Sequence, residues 1–143
     1  MARDSFSFTV FGFEPRPQGS KKYVGTRRTA AGNNIPLIIE ASPGLPVWRK
    51  AVADAVKQAM QDSGDLSKFE GAVKVEAVFY LTRKKSVTRA MPTVPPDVDK
   101  LSRSLLDACK GVWGDDSQVV RLEVSKKYAT GEPGVAVTIS NYP

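Results

Sequence analysis

From Ser5 to Phe13 apolar and polar residues alternate, with Phe6, Phe8, Val10 and Gly12 on one side, and this spacing predicts a first strand ended by Glu14-Pro15-Arg16-Pro17. Ile35 to Ile39 reads as a short second strand. Pro43, Gly44 and Pro46 break the chain, and Pro46 suits the first turn of a helix whose apolar positions Val47, Ala51, Ala55, Ala59 and Met60 recur at helical spacing. That helix is expected to stop near Ser63-Gly64. The clearest alternation runs from Gly71 to Leu81, where Val73, Val75, Ala77 and Phe79 oppose Lys74, Glu76 and Tyr80. A second helix is predicted from about Asp99 to Lys110, with Val98, Leu101, Leu105, Ala108, Cys109 and Val112 on its buried face. Ser117–Tyr128 and Val135–Ile139, joined by Thr130-Gly131-Glu132-Pro133-Gly134, read as a closing β-hairpin. The order β-(β)-α-β-α-β-β predicts an α+β fold, a mixed sheet with two packed helices, built as one domain over residues 1–143. No repeat, low-complexity tract or linker divides it.

Composition narrows what such a domain does. With 143 residues and 41% hydrophobic content, the chain can close one core without a staple. Its formal charge is +6 and it has no histidine, so the positive field does not titrate away near neutrality and suits a polyanionic partner. Cys109 is the single cysteine, which excludes an internal disulfide and a Cys-His zinc site. No apolar run approaches a membrane span, and Met1-Ala2-Arg3-Asp4 lacks a signal peptide's apolar core, so a soluble, cytoplasmic protein with no membrane partner is expected.

Against this basic background, Asp97, Asp99, Asp115 and Asp116 gather around one short helix. Asp97 and Asp99 flank Val98 and can face the same side of the sheet mouth; Gly111 to Gly114 can turn the chain so that Asp115 and Asp116 come back toward a neighbouring strand. Hard oxygen ligands of this kind suit Mg²⁺, with Mn²⁺ as an alternative. Each residue also has a local explanation: Asp99 as a helix N-cap, Asp115 and Asp116 as turn residues. Arg103, one turn beyond Asp99, is either its i,i+4 ion-pair partner or a cation for a phosphate. Two acid-free basic loops, one holding Lys21, Lys22, Arg27 and Arg28 and the other Arg83, Lys84, Lys85 and Arg89, suit phosphate contacts, the alternative being solvated surface charge. Trp48, Trp113 and Cys109 read as packing residues.

The run Pro96-Asp97-Val98-Asp99-Lys100-Leu101-Ser102-Arg103, then Leu106-Asp107-Ala108, then Gly111-Val112-Trp113 and Asp115-Asp116-Ser117-Gln118, resembles the signature of the RusA family of Holliday-junction resolvases. The resemblance covers about thirty residues with aligned spacing, against a family pattern of Asp-x-Asp-Asn-Leu-x-Lys, Asp-Ala-Leu and Asp-Asp-x-Gln. It implies a Mg²⁺-dependent crossover junction endodeoxyribonuclease that resolves branched DNA by paired symmetric nicks in recombination and repair. It also implies a homodimer of bacterial or phage origin, with Asp97, Asp99 and Asp116 as catalytic acids and metal ligands. Arg103 then stands for the family's catalytic lysine, Asp115 is a supporting acid, and Lys126 matches a basic, DNA-binding position. Lys100 replaces a usual Asn and Arg103 a usual Lys; Arg keeps the charge but does not exchange a proton. The alternatives are a non-catalytic branched-DNA-binding module that retains the fold, and a basic structural protein whose acids cap a helix.

Overall fold

The computed structural model describes residues 5–19, 22–28, 30–39 and 43–143. A four-stranded sheet has the order β1-β6-β4-β5, from β1 (Ser5–Phe11), β4 (Val73–Leu81), β5 (Val119–Tyr128) and β6 (Gly134–Asn141). A separate two-stranded sheet pairs β2 (Lys22–Arg28) with β3 (Asn34–Ile39), and the helices are α1 (Leu45–Ser63) and α2 (Val98–Ala108). The expected α+β class with a mixed sheet and two helices is what the chain forms.

The alternating strands account for the core. Phe6, Phe8 and Val10 of β1, Val73, Val75, Ala77 and Phe79 of β4, and Val135, Val137 and Ile139 of β6 form one buried cluster with the helices. On the opposite face Ser7 bonds Thr138 through their hydroxyls (3.0 Å), and Lys74 lies 3.4 and 3.5 Å from Glu76 and Glu123. In α1 the buried stripe is Leu45, Trp48, Val52, Val56 and Met60, whereas Val47 is exposed. The expected alanine face is thus rotated by one residue: Ala51, Ala55 and Ala59 flank the core, since burying the larger side chains removes more apolar area from water. Gly64 ends the helix in the left-handed region (φ 74), its N–H donating to Gln61 O.

Two topological expectations are corrected. The segment read as a basic loop contains β2, because its pairing partner β3 is short and polar-flanked and the Gly25 break conceals the strand. The last two strands are not a hairpin. β5 runs parallel to β4, with Val73 opposite Val119 and Leu81 opposite Tyr128, while β6 lies antiparallel on β4's other side. α2 is the crossover that a parallel pair requires, and β4, buried at every second residue, takes a neighbour on both edges. The 129–133 connection passes β4's end, where Ala129 N donates to Leu81 O (2.7 Å) and Gly12 N to Pro133 O (2.9 Å).

Among the described residues no helix is long and apolar enough to cross a membrane.

Candidate functional site

α2 is amphipathic, burying Leu101 and Leu105 and two hydroxyls that are both satisfied: Ser102 Oγ donates to Val98 O (2.7 Å), Ser104 Oγ to Arg16 O (2.7 Å). Asp97 is the N-cap in extended backbone, yet its carboxylate makes no capping bond; it faces Lys100 Nζ at 3.4 Å. Asp99 lies in the first turn, exposed, with no hydrogen bond or ion pair to any described residue. The i,i+4 pair with Arg103 does not form, and Arg103 is likewise exposed and uncommitted among the described residues. Neither local explanation, an Asp99 cap or an Asp99–Arg103 pair, is what the structure contains. Two acids at the positive end of the helix dipole, without capping duty, are available to an external cation.

The second acidic pair is built differently. Asp115 is the N-cap of the 3-10 turn Asp116–Gln118, its Oδ1 accepting from Ser117 N (2.8 Å). That backbone bond, then the Ser117 hydroxyl and the Lys110 charge, hold its carboxyl below the usual range. Here the local explanation applies: Asp115 is a turn residue. Asp116 is half-buried, and its Oδ1 accepts from the indole Nε1 of the fully buried Trp113 (2.9 Å). Gln118 fixes the whole turn, its Oε1 accepting from Gly114 N and Asp115 N (2.9 Å each) and its Nε2 donating to Phe69 O (3.1 Å) and Gly71 O (2.9 Å). Asp115 with Gln118 forms a capping box, a sequence-level pattern that would have revealed Gln118 as a positioning residue. Trp113 had a signal too, since a buried indole N–H needs an acceptor and the nearest acids follow it in sequence.

The two pairs do not meet within one chain. Pro96 O accepts from Lys126 Nζ (2.9 Å), and Lys126 is level with Phe79 near the far end of β4, whereas Trp113 and Gln118 touch Phe69 and Gly71, just before β4 begins. The α2 axis between them spans roughly 16 Å. Accordingly no group of three or more ligating side chains converges among the described residues. The donor chemistry, carboxylate oxygens without histidine, fits a hard ion that takes one or two protein carboxylates and fills its shell with phosphate and water; it does not fit a preformed cage in one subunit.

Lys126 faces inward, its amine donating to Val94 O (2.8 Å) and Pro96 O, so it secures the segment leading to Asp97. Arg83 stacks over Tyr128 (5.1 Å to the ring centroid) and Arg89 Nη1 donates to its hydroxyl (2.9 Å); Lys84 and Lys85 are exposed. Lys21 lies outside the described residues, as do the side chains of Lys22, Arg27 and Arg28 in β2. The segment before β2 runs back along α2, Gln18 N donating to Lys100 O (3.0 Å) and Gln18 Nε2 to Asp107 Oδ2 (2.5 Å), and leads toward the helix's first turn.

With this geometry in hand, comparison with known families matches residues 13–140 to Endodeoxyribonuclease RusA. The chain belongs to the RusA family. No curated protein matches it. The RusA match takes in both helices and three of the four strands of the larger sheet, all but β1, and it makes a nuclease hydrolase acting on DNA the class to which this chain is assigned.

Two measurements follow from the Asp116 end of this RusA chain. Trp113→Phe keeps an aromatic ring but removes the N–H to Asp116; cleavage is expected to fall about tenfold with DNA affinity unchanged, at a stability cost of about 1–2 kcal/mol. Cys109, fully buried, has its thiol pushed up to about 12, first by burial and then by the Asp116 charge. The unfolded thiol ionises near pH 9 and the folded one does not, so this contribution to stability is complete below that pH and is lost as pH rises above it. Iodoacetamide at pH 9 should leave the native chain unmodified and label it once unfolded.

Proposed function

We propose that this protein is a Mg²⁺-dependent endonuclease that resolves Holliday junctions and related branched DNA by paired nicks, acting in recombination and repair as a two-fold homodimer in a bacterial or phage-infected cell. The observation that supports this most is the pair Asp97 and Asp99 at the start of α2, both exposed and neither capping the helix, with Asp97 beside Lys100 and Asp99 bonded to no described residue, in a chain of the RusA family. Mg²⁺ bound there would lower the pKa of an attacking water and offset charge on the scissile phosphate.

The chain's own residues do the rest. Asp97 and Asp99 supply oxygen ligands, and the neighbouring Lys100 limits the repulsion between those carboxylates and DNA. Arg103, one turn along the same helix, offers a planar fork to a phosphate oxygen and needs no proton transfer to do so. Lys126 and the Pro95–Pro96 carbonyl segment fix the approach to Asp97. Asp116 is held at the other end of α2, so in this reading it serves a site completed by a second copy, and a two-fold dimer presents two such sites to the two-fold symmetric junction.

Incubation with a labelled synthetic four-way junction, with and without Mg²⁺, tests the reading. Paired nicks that require the metal are expected; junction binding without nicks in Mg²⁺ or Mn²⁺ would leave the non-catalytic binding module in its place. Sedimentation of the free protein should give twice the 15.5 kDa chain mass.

A further inference from the structure

We propose that the pocket between the 82–96 loop and the C-terminal end of β5 receives a single unstacked nucleotide of the DNA strand that leads to Asp97. The inference rests on the proposed action on branched DNA and deepens it by naming where one base is read.

The pocket has a volume of about 270 Å³, below the usual range for small-molecule sites, which suits one base and its phosphate rather than a peptide or a helix. Its lining includes the apolar residues Pro92, Val94, Pro95 and Pro96 together with the Tyr128 ring and the Arg89 guanidinium. A nucleobase needs that combination, a plane to lie against and a cation for the attached phosphate. Glu14 is the carboxylate among the lining residues, and it is already occupied, accepting from Thr82 N (3.2 Å) and Thr82 Oγ1 (2.7 Å). Lys84 and Arg89 against the single carboxylate of Glu14 leave the lining residues with a net positive charge.

The walls are held before any ligand arrives. Lys126 ties down both Val94 O and Pro96 O, and Ala129 N ties the carbonyl of Leu81, another lining residue. Arg83 lies over the Tyr128 ring and donates to the Arg89 carbonyl, while Arg89 spends one N–H on the Tyr128 hydroxyl. A guanidinium has five N–H donors, so Arg89 keeps others for a phosphate. A fixed, cationic, proline-walled pocket lowers the ordering cost of capturing a base that has left its stack. Pro96 is the residue before Asp97, so a nucleotide seated here is next to the proposed cleavage site.

The experiment uses the full chain in EDTA with four-way junctions carrying 2-aminopurine at successive positions around the crossover, read by fluorescence and by affinity. Wild type is expected to raise the emission several-fold at one position next to the crossover. Arg89→Gln should weaken junction binding about tenfold and bring the emission to near that of free DNA. Tyr128→Phe, which keeps the ring and removes only the hydroxyl that holds Arg89, should show the same loss of emission to a smaller degree. Lys57→Gln on α1 should match wild type. Binding without an emission rise at any position, or an unchanged rise in both Arg89→Gln and Tyr128→Phe, overturns the pocket while leaving the DNA reading in place. Absence of junction binding overturns both.

Discussion

Asp99→Asn is expected to reduce junction cleavage by at least about a hundredfold while leaving binding unchanged or tighter. The replacement keeps the shape of the side chain and removes one charge. Because Asp99 is exposed and bonded to no described residue, no contact among the described residues depends on its side chain, and the loss of its interaction with the helix dipole costs about 0.5 kcal/mol. Tighter binding follows from removing a negative group beside the phosphates. Single-turnover cleavage in Mg²⁺ and junction affinity in EDTA, measured on the same preparation, separate the two effects. Retained cleavage in the Asn variant would remove Asp99 from the catalytic set.

The largest effect on stability is expected from Gly134→Ala. Gly134 opens β6 opposite Phe11 of β1 and Tyr80 of β4, and a Cβ there would lie 1.9 Å from Val10 O and 2.9 Å from Phe11 Cα. The obstructing atoms are backbone, so relief requires β1 to shift along its whole pairing with β6, and with it Phe6, Phe8 and Val10 from the core. A loss of about 3 kcal/mol or more, seen as a fall of about 10 °C in the midpoint of thermal unfolding, is expected. Gly131→Ala, with no heavy atom within 4 Å of the added carbon, should leave the midpoint near that of wild type. Equal midpoints for the two variants would show that β1 does not pack against β6 as described.

Sequence pattern located most elements because their periodicity is set by burial: β1, β4 and α2 each carry large apolar side chains at strict intervals, and those residues are the core. It failed where local signals favour the wrong partner. The Thr130-Gly131-Glu132-Pro133-Gly134 stretch has hairpin chemistry, yet β4 separates the strands it joins, and which strand pairs with which is decided by long-range packing that no short window contains. Candidate acids were legible as a cluster in sequence, but their division between the two ends of α2 depends on β5 running parallel to β4. Lys126 illustrates the same limit: the family resemblance implied a DNA contact, and its hydrogen bonds go to the chain's own carbonyls.

The position of β6 also governs when this protein comes into being. Of the described strands β1 is made first, but the neighbour that holds it in the sheet is β6, the last of them. During synthesis the β4-α2-β5 unit, which carries all four acids, can assemble early with one edge of β4 unfilled, and the sheet closes when β6 slides between β1 and β4. A ribosome-bound chain that has emerged only through Tyr128 therefore exposes an open β4 edge and a first strand without its sheet neighbour. Closure of the sheet, and of the core that β6 shares with β1 and β4, is deferred until synthesis has reached Asn141.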